Sequence, residues 1–145
     1  METRTADGRH RVVITGVGMM TPLGNDVDAT WDALLAGTSG AAPITQFEPT
    51  EDFATRFACE VKGFDPEQYM DRKEARRADR FAQFAMAVAV QAVQDAGLAD
   101  DLAPADPDRV GVILGSGIGG IATFEEQTRV MLERGPNRVS PFFVP

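Results

Sequence analysis

The sequence predicts an α/β fold with a mixed sheet and one buried helix. Residues 109–120 carry the main observation, because a short apolar run opens there into four glycines within six positions and then into a helical pattern. The second observation is the order of the other segments, since two further strand patterns each precede a helical pattern. Strands that alternate with helices favour an at least partly parallel sheet covered by helices.

The first strand and helix occupy the segment up to residue 37. Val12-Val13-Ile14 is typical of a buried strand, and Gly37 is expected to end the helix that follows. Either Asp26 or Asp28 is suited to cap the beginning of this helix. Its expected apolar face has the spacing i, i+4, i+7 and i+8 and consists of Val27, Trp31, Leu34 and Leu35.

Residues 56–61 alternate between apolar and polar side chains, which predicts a half-exposed strand. Phe57, Cys59 and Val61 share the face expected to point to the core. Cys59 is therefore interpreted as a small buried hydrophobe rather than a reactive thiol, because a reactive thiolate needs an accessible, electropositive setting. Residues 38–55, which precede this strand, are expected to form a surface loop.

A basic cluster within nine positions follows a short helical turn that begins at Asp65-Pro66. At about 100° per residue its members share about 140° of one helical face. Two interpretations stay open, a solvated helix face or a patch that attracts an anionic partner. The cluster consists of Arg72, Lys73, Arg76, Arg77 and Arg80.

The helix that continues from Phe81 is apolar all round at residues 84–90, which predicts that it enters the core and ends near Gly97. Residues 99–108 form an acidic loop that leads to the strand at 110–114 and the glycine turn. Thr123 and Glu126 then have the spacing of a capping box for a helix through about Arg134.

The glycine turn also offers an alternative function, because Gly115, Gly117 and Gly120 match the G-x-G-x-x-G pattern of dinucleotide-binding folds. Such folds need an acidic residue about 20 positions later, at the end of a second strand. Glu133 has roughly that spacing but lies in the expected helix. The pattern is matched without its context, so a nucleotide-binding Rossmann-like module is the weaker hypothesis.

Composition excludes several classes of protein. The chain has 145 residues, 43% of them hydrophobic and 25% charged, which is ordinary for a globular domain. The net charge of −8 argues against general nucleic-acid binding, and no apolar stretch approaches the roughly 20 residues that span a bilayer. One cysteine and one histidine argue against a disulfide framework and a structural metal site. The N-terminus lacks the apolar core of a secretory signal, so we expect a cytoplasmic protein with a flexible tail at residues 1–10.

Several stretches, taken in order, resemble the N-terminal part of a β-ketoacyl-acyl carrier protein synthase. The last two of them are more typical of type II, the elongating form, than of type I. The resemblance covers residues 11–145 and about the first third of a family member. The stretches are Val12-Val-Ile-Thr-Gly-Val-Gly-Met-Met-Thr-Pro-Leu-Gly-Asn25, Trp31–Gly40, Asp71-Arg-Lys-Glu74, Gly115-Ser-Gly-Ile-Gly-Gly120 and Ser140-Pro-Phe-Phe-Val-Pro145.

This resemblance implies the N-terminal portion of a thiolase-like, layered αβαβα fold that works as a homodimer without a cofactor. The implied reaction is a decarboxylating Claisen condensation, in which a cysteine thiolate takes an acyl chain from acyl carrier protein. Two histidines then support the decarboxylation of malonyl-acyl carrier protein and the attack of the resulting carbanion. In the family these three residues lie beyond the equivalent of Pro145, so neither Cys59 nor His10 matches them. We therefore expect no catalytic residue in this chain.

The resemblance also implies roles for residues that are present. Ile118 matches a position that limits or gates the acyl pocket, and Phe143 matches an aromatic that closes the pocket of the neighbouring subunit. Four basic residues match positions that dock the acidic carrier protein, namely Lys73, Arg76, Arg77 and Arg138. The resemblance leaves a polyketide-type synthase, or its partner subunit without the nucleophile, as a related possibility.

Overall fold

The computed structural model describes residue 4 and the ranges 7–98 and 106–143. Four α-helices lie in these ranges: α1 (Val27–Leu35), α2 (Arg72–Ala75), α3 (Arg80–Asp95) and α4 (Ile121–Arg134). The strands β1 (Ala42–Pro43) and β2 (Phe57–Ala58) pair antiparallel, with Ala42 opposite Ala58. Short 3-10 helices at Pro66–Gln68, Pro107–Arg109 and Pro136–Arg138 each begin at a proline, whose fixed φ suits a first helical position.

Helix α3 is the element against which the N-terminal segment packs. A Cβ atom on Gly16 would lie 2.6 Å from the backbone nitrogen of Ala96, and one on Gly18 would lie 2.9 Å from Cβ of Gln91. Real Cβ atoms do not approach so closely, and glycine is the residue that permits this contact between two backbones. Ala87, in the middle of α3, is fully buried, but Met86 beside it is 48% exposed, so the helix predicted to be buried is only partly covered in the described residues.

Side chains of α3 hold this segment in place through hydrogen bonds. The backbone N–H of Val17 donates to the carboxylate of Asp95 at 2.8 Å, and that of Met19 donates to Oε1 of Gln91 at 2.9 Å. The Nε2 atom of Gln91 donates in turn to the carbonyl of Asn25 at 2.7 Å. Backbone N–H and C=O groups of this segment, which in a sheet would bond to a neighbouring strand, thus bond to side chains of α3.

Helix α1 begins and ends where the sequence predicts. Asp26 is its N-cap, and the carboxylate accepts the N–H of Ala29 at 2.7 Å, while Gly37 follows the helix with φ of 66°. The buried residue of α1 is Thr30, whose hydroxyl lies 3.0 Å from that of Thr21, and the predicted apolar face is open to solvent. Three of the four predicted face residues are more than half exposed: Trp31, Leu34 and Leu35.

The segments 12–14 and 110–114 have no regular secondary structure, so neither is a strand in the described residues. Both are open to solvent, with Val12 91% and Ile113 100% exposed. A strand forms only when a neighbour accepts and donates its ladder of hydrogen bonds, and no such neighbour lies beside these segments in the part of the chain that the structure describes. The described sheet is therefore a small antiparallel pair instead of the mixed sheet that the sequence predicts.

The prediction of which side chains of residues 56–61 point to the core was also wrong. Cys59 is exposed and Phe57 is 64% exposed, whereas Glu60 is partly covered. The carboxylate of Glu60 accepts the hydroxyl of Thr45 at 2.7 Å and the N–H of Gln46 at 3.2 Å. The hydroxyl of Thr45 is the main reason why the pKa of Glu60 is lowered. These hydrogen bonds hold Glu60 on the inner side of the hairpin.

The chain exposes far more surface than a compact domain of its mass. Its solvent-accessible area is 11667 Å², whereas about 7,300 Å² is expected of a compact 15.6 kDa monomer. Among the described residues only Ala75 and Ala87 are buried hydrophobics. None of the described helices has the length and apolar character needed to cross a membrane.

Candidate functional site

An open apolar groove of about 1040 Å³ lies between the beginning of α3 and the beginning of α4. It also takes side chains from the turn after α2, from the glycine turn and from the aromatic pair near the end of the chain. Clefts of this size with mostly apolar walls are the usual form of small-molecule binding sites. The lining residues are Glu74, Arg77, Ala78, Asp79, Phe81, Ala82, Ile118, Gly120, Ile121, Thr123, Phe124, Phe142 and Phe143.

The aromatic wall of the groove is attached to α4. The ring of Phe143 lies 5.9 Å from that of Phe124, centroid to centroid, at an interplanar angle of 39°. The backbone N–H of Ser140 donates to Oε1 of Gln127 at 2.7 Å, which holds the chain that carries Phe143 against the helix. A tilted ring pair at this distance adds specific geometry to the burial of apolar surface.

Arg77 joins the basic cluster to this wall. Its guanidinium carbon lies 4.1 Å from the centroid of the Phe142 ring, within the range of a cation–π interaction. Arg77 therefore contributes a charge at the rim of the groove and covers an aromatic side chain at the same time. The sequence cannot indicate this contact, because the two residues are distant in the chain and neither belongs to a shared motif.

The basic cluster does not lie on one helix, which corrects the prediction of a single basic helical face. Helix α2 ends at Ala75 and α3 begins at Arg80, so Arg76 and Arg77 lie in the connection between them. Asp71 caps α2 by accepting the N–H groups of Lys73 at 2.7 Å and Glu74 at 2.9 Å. Each helix has an aspartate at its N-cap position, Asp71 for α2 and Asp79 for α3, and the break between the two helices interrupts the periodicity on which that prediction depended.

Arg80 points away from the cluster. Its guanidinium lies 4.8 Å from the ring centroid of Phe84 and 5.6 Å from that of Phe64, and it donates to the carbonyl of Val61 at 3.2 Å. Arg80 thus has a packing role in the fold. Lys73 and Arg76 are exposed, as is Arg138 at the end of its 3-10 helix.

The structure brings three of the six predicted site residues together. Ile118, Phe143 and Arg77 all line the groove, with Ile118 76% exposed on the wall formed by the glycine turn. Lys73, Arg76 and Arg138 are absent from the lining and remain on the outer surface. Of the stretch Ser140–Pro145, residues 144 and 145 lie outside the described residues, and so does the segment 99–105 of the predicted acidic loop.

Asp79 lines the groove, and the sequence did not indicate this position. Its Oδ2 atom accepts the backbone N–H of Thr123 at 2.9 Å and the Thr123 hydroxyl at 2.6 Å. Burial by itself raises the pKa of Asp79, but the hydrogen bonds from Thr123 outweigh it and hold the pKa below its usual value. The carboxylate lies at the positive end of the α4 dipole.

The capping box predicted for α4 was therefore wrong, although the helix ends at Arg134 as expected. The N-cap position is Gly120, which has no side chain to accept a hydrogen bond, and Thr123 lies inside the first turn. Asp79, 44 positions earlier in the chain, supplies the missing acceptor. A carboxylate at this helix end opposes the binding of a phosphate there, which removes the main physical basis of the nucleotide-binding alternative.

The single cysteine and the single histidine lie elsewhere. Cys59 follows β2 at the surface, and His10 forms an isolated antiparallel bridge with Arg4, with 3.3 Å between its Nε2 atom and a guanidinium nitrogen. Neither belongs to the residues that line the groove. Across the described ranges, no group of three or more His, Cys, Asp or Glu side chains is arranged to hold a metal ion.

Comparison with known proteins gives one consistent result. A family model described as "Beta-ketoacyl synthase, N-terminal domain" matches residues 9–145. A protein of Vibrio cholerae named 3-oxoacyl-[acyl-carrier-protein] synthase 2 is 50% identical over 137 residues, which are 94% of this chain and 32% of that protein. Proteins of the same name from Staphylococcus aureus and Synechocystis are 50% identical over 135 residues and 45% identical over 137 residues. The chain spans about a third of the length of these relatives.

Two solved structures have a similar fold. One is described as the ishigamide ketosynthase/chain length factor, with a TM-score of 0.72 and 32% identity. The match covers 90% of this chain and 32% of the other chain. The other is a type II polyketide acyl carrier protein in complex with its ketosynthase bound to the hexaketide, with a TM-score of 0.69 and 25% identity. That match covers 92% of this chain and 34% of the other. The described elements therefore form part of a ketosynthase-like fold.

Proposed function

This chain belongs to the β-ketoacyl synthase family, and we propose that it forms the acyl-binding N-terminal part of a cytoplasmic 3-oxoacyl-acyl carrier protein synthase. The proposed reaction of the whole protein is the decarboxylating condensation of an acyl thioester with malonyl-acyl carrier protein. The thiolase-like αβαβα layering and the homodimer belong to the same proposal.

The groove is the observation that carries this proposal. Its volume of about 1040 Å³ is at the upper end of the range of about 300–1,000 Å³ that is usual for ligand pockets. Its walls are mainly aliphatic and aromatic, which suits a hydrocarbon chain that needs no directional contacts along its length. Ile118 stands on one wall of the groove and is assigned to this chain's own acyl pocket, whereas Phe143 on another wall is assigned to the pocket of the neighbouring subunit.

The rim of the groove suits an acidic carrier protein. Arg77 lies at the rim over Phe142, and Lys73 and Arg76 are exposed on the preceding helix and its connection to α3. In a chain with a net charge of −8, such a local positive cluster favours an anionic partner. We assign carrier-protein docking to these three residues and to Arg138.

The chain's own residues hold and orient the acyl chain in this proposal, and none of them performs the chemistry. The thiol of Cys59 and the imidazole of His10 lie outside the groove lining. Condensation needs a nucleophile that forms an acyl-enzyme and donors that stabilise the developing oxyanion. We assign these roles to a cysteine and two histidines that are absent from the 145 residues.

The direct test incubates the full-length protein that contains this chain with long-chain acyl-acyl carrier protein and radiolabelled malonyl-acyl carrier protein. We expect a 3-oxoacyl product two carbons longer and an acylated cysteine by mass spectrometry, and no product from the 145-residue chain alone. Failure of the full-length protein to form either species would refute the proposal. Product formed by the isolated chain would refute the assignment of the catalytic residues.

Charge reversal tests the docking surface separately. Arg76→Glu should weaken binding of acyl carrier protein and reduce its dependence on salt, because an exposed attraction is screened over a Debye length of about 8–10 Å. The matched control is Arg56→Glu, at an exposed arginine of the hairpin that donates to the carbonyl of Glu51. Equal affinities for the two variants across a range of salt concentrations would refute the docking role of Arg76.

A polyketide-type synthase is the second candidate, because one solved structure with a similar fold is described as a type II polyketide acyl carrier protein in complex with its ketosynthase. The product distinguishes the two candidates. A fatty-acid synthase releases a singly extended 3-oxoacyl chain, whereas a polyketide synthase adds several malonyl units before release. A partner subunit without the nucleophile would form no acyl-enzyme at all.

A further inference from the structure

The basic cluster divides into residues that the chain itself engages and residues that it leaves unpaired. The guanidinium of Arg72 lies 3.6 Å from the carboxylate of Glu67. That of Arg80 donates to the carbonyl of Val61 at 3.2 Å. Among the described residues, no carboxylate forms an ion pair with the three that remain, which are Lys73, Arg76 and Arg77. An acidic partner can therefore meet these three charges without first breaking an ion pair.

Arg77 differs from its two unpaired neighbours because an aromatic ring lies under its guanidinium. The guanidinium carbon is 4.1 Å from the centroid of the Phe142 ring, and that side chain is 52% exposed, so the pair lies at the surface. A guanidinium can stack on an aromatic face while its five N–H donors, which lie in its own plane, stay available for hydrogen bonds. The contact with Phe142 thus restrains Arg77 without using its donors.

Arg80 is the instructive contrast within the same chain. It also lies over aromatic rings, those of Phe64 and Phe84, but it is half-buried and its guanidinium donates to the carbonyl of Val61. Arg77 is exposed, and no acceptor among the described residues takes a hydrogen bond from its guanidinium. The donors of Arg80 are used inside the fold, whereas those of Arg77 remain for a partner.

The ring under Arg77 is held in place by α4. The backbone N–H of Phe142 donates to the hydroxyl of Ser140 at 3.2 Å, and the N–H of Ser140 donates to Oε1 of Gln127 at 2.7 Å. The ring is therefore carried by a turn that is attached to a different helix from those that flank Arg77. An exposed arginine loses rotamer freedom when a partner binds it, and a side chain that is already held in place loses less.

We propose that Phe142 is a positioning residue for carrier-protein docking, because its ring holds the guanidinium of Arg77 ready to bind one carboxylate of the acidic carrier protein through two parallel hydrogen bonds. This inference rests on the proposed function. A guanidinium matches the two oxygens of a carboxylate, whereas the ammonium group of a lysine acts as a point charge. Phe142 acts through Arg77 and takes no part in the condensation. Lys73 and Arg76, which have no such ring, contribute attraction without fixed geometry.

The test measures the association and dissociation rates of acyl carrier protein on the immobilised full-length protein. Phe142→Leu removes the ring and keeps an apolar side chain, Phe142→Tyr keeps the ring, and Arg77→Lys keeps the charge but removes the planar guanidinium. Two matched controls repeat the changes on the hairpin, away from the cluster. They are Phe57→Leu, at a side chain that is 64% exposed, and Arg56→Lys, at an exposed arginine. The melting temperature of each variant is measured in parallel.

We expect Phe142→Leu to raise the dissociation rate about two- to fivefold, which is the contribution of an exposed cation–π contact. The association rate and its dependence on salt should not change, because the charge of Arg77 remains. Arg77→Lys should also raise the dissociation rate, and adding Phe142→Leu to it should have less than about a twofold further effect, because the ring acts only through the guanidinium. Phe142→Tyr and both controls should stay within about twofold of wild type.

Several outcomes would overturn the inference. A Phe142→Leu variant that releases the carrier protein at the wild-type rate would do so, as would fully additive effects of Phe142→Leu and Arg77→Lys. An equal effect of Phe57→Leu would show that the loss is not specific to the ring under Arg77. If Phe142→Leu does not fold, Arg77→Lys decides the question, since a wild-type dissociation rate for that variant would exclude the bidentate contact.

The two proposals fail in different ways. A full-length protein that binds acyl carrier protein but forms no 3-oxoacyl product would refute the proposed function, while the dissociation rates of the variants would still decide the role of Phe142. Product formation together with an unaffected Phe142→Leu variant would refute the inference alone. A full-length protein that does not bind acyl carrier protein would overturn both proposals.

Discussion

Ile113 lies in the middle of the unpaired segment 110–114, and we predict that Ile113→Lys suppresses self-association of the 145-residue chain. The side chain is 100% exposed, so the substitution removes no packing contact within the chain. The stability of the folded chain should therefore change by less than about 0.5 kcal/mol. Association is different, because the exposed side chain is buried when two copies meet.

The magnitude follows from that exposure. Complete burial of an isoleucine side chain contributes about 1.5–3 kcal/mol, which corresponds to about a 10–100-fold change in an association constant. Leu132→Lys is the matched control, since Leu132 is 78% exposed on α4 and the two side chains offer similar apolar area. The backbone of α4 is satisfied by its own hydrogen bonds, whereas segment 110–114 presents unpaired N–H and C=O groups to a second chain.

Sedimentation velocity at several concentrations, together with binding of a hydrophobic dye, measures the effect. We expect the unmodified chain to associate and to bind dye, Ile113→Lys to remain largely monomeric, and Leu132→Lys to have the smaller effect. Equal effects of the two lysines would show that apolar area alone drives association. An unmodified chain that melts cooperatively as a monomer and binds no dye would refute the reasoning as a whole.

Three further predictions concern stability and are tested in the full-length protein. Gly18→Ala should destabilise it by about 1–3 kcal/mol, because the added methyl group forces the N-terminal segment off α3, and chemical denaturation measures the loss. Asp26→Ala should cost about 1 kcal/mol through the lost N-cap, whereas Asp28→Ala should cost less, which a difference in melting temperature would reveal. Glu60 has a lowered pKa, so its contribution to stability is present above the ordinary glutamate pKa and is lost as pH falls through the folded value. Glu60→Gln should flatten the melting temperature profile between about pH 6 and pH 3, and an unchanged profile would contradict this.

Local signals in the sequence were sufficient for the helices. Asp26 caps α1, Gly97 follows the end of α3, and α4 ends at Arg134. Each of these features depends on residues within a few positions of one another. Helix capping and the conformation of glycine act over that short distance in the sequence. Ile118 and Phe143 line one groove of a single chain, whereas the resemblance assigns Phe143 to the pocket of the neighbouring subunit, and the roles of both residues as substrate contacts stay predictions.

The errors in the sequence interpretation come from contacts between distant residues. The acceptor for the first turn of α4 comes from Asp79, and the inward position of Arg80 depends on two aromatic rings. The predicted core position of Cys59 was wrong because a polar tie between Glu60 and Thr45 decides which side of the hairpin faces inward. Strand pairing depends most strongly on contacts between distant residues. An apolar run indicates that a segment suits a sheet, but it does not indicate whether a neighbouring strand is present.

The bonds that join the N-terminal segment to α3 also impose an order of events during synthesis. Val17 binds Asp95 and Met19 binds Gln91, across separations of 78 and 72 positions. Chains emerge from the ribosome at about 5–20 residues per second, so roughly 4–16 seconds pass between translation of Val17 and of its partner. During that time the segment 16–19 has no α3 beside which to lie, and it is available to chaperones. A pause in translation before α3 has left the ribosome would lengthen this exposure, whereas a later pause would not.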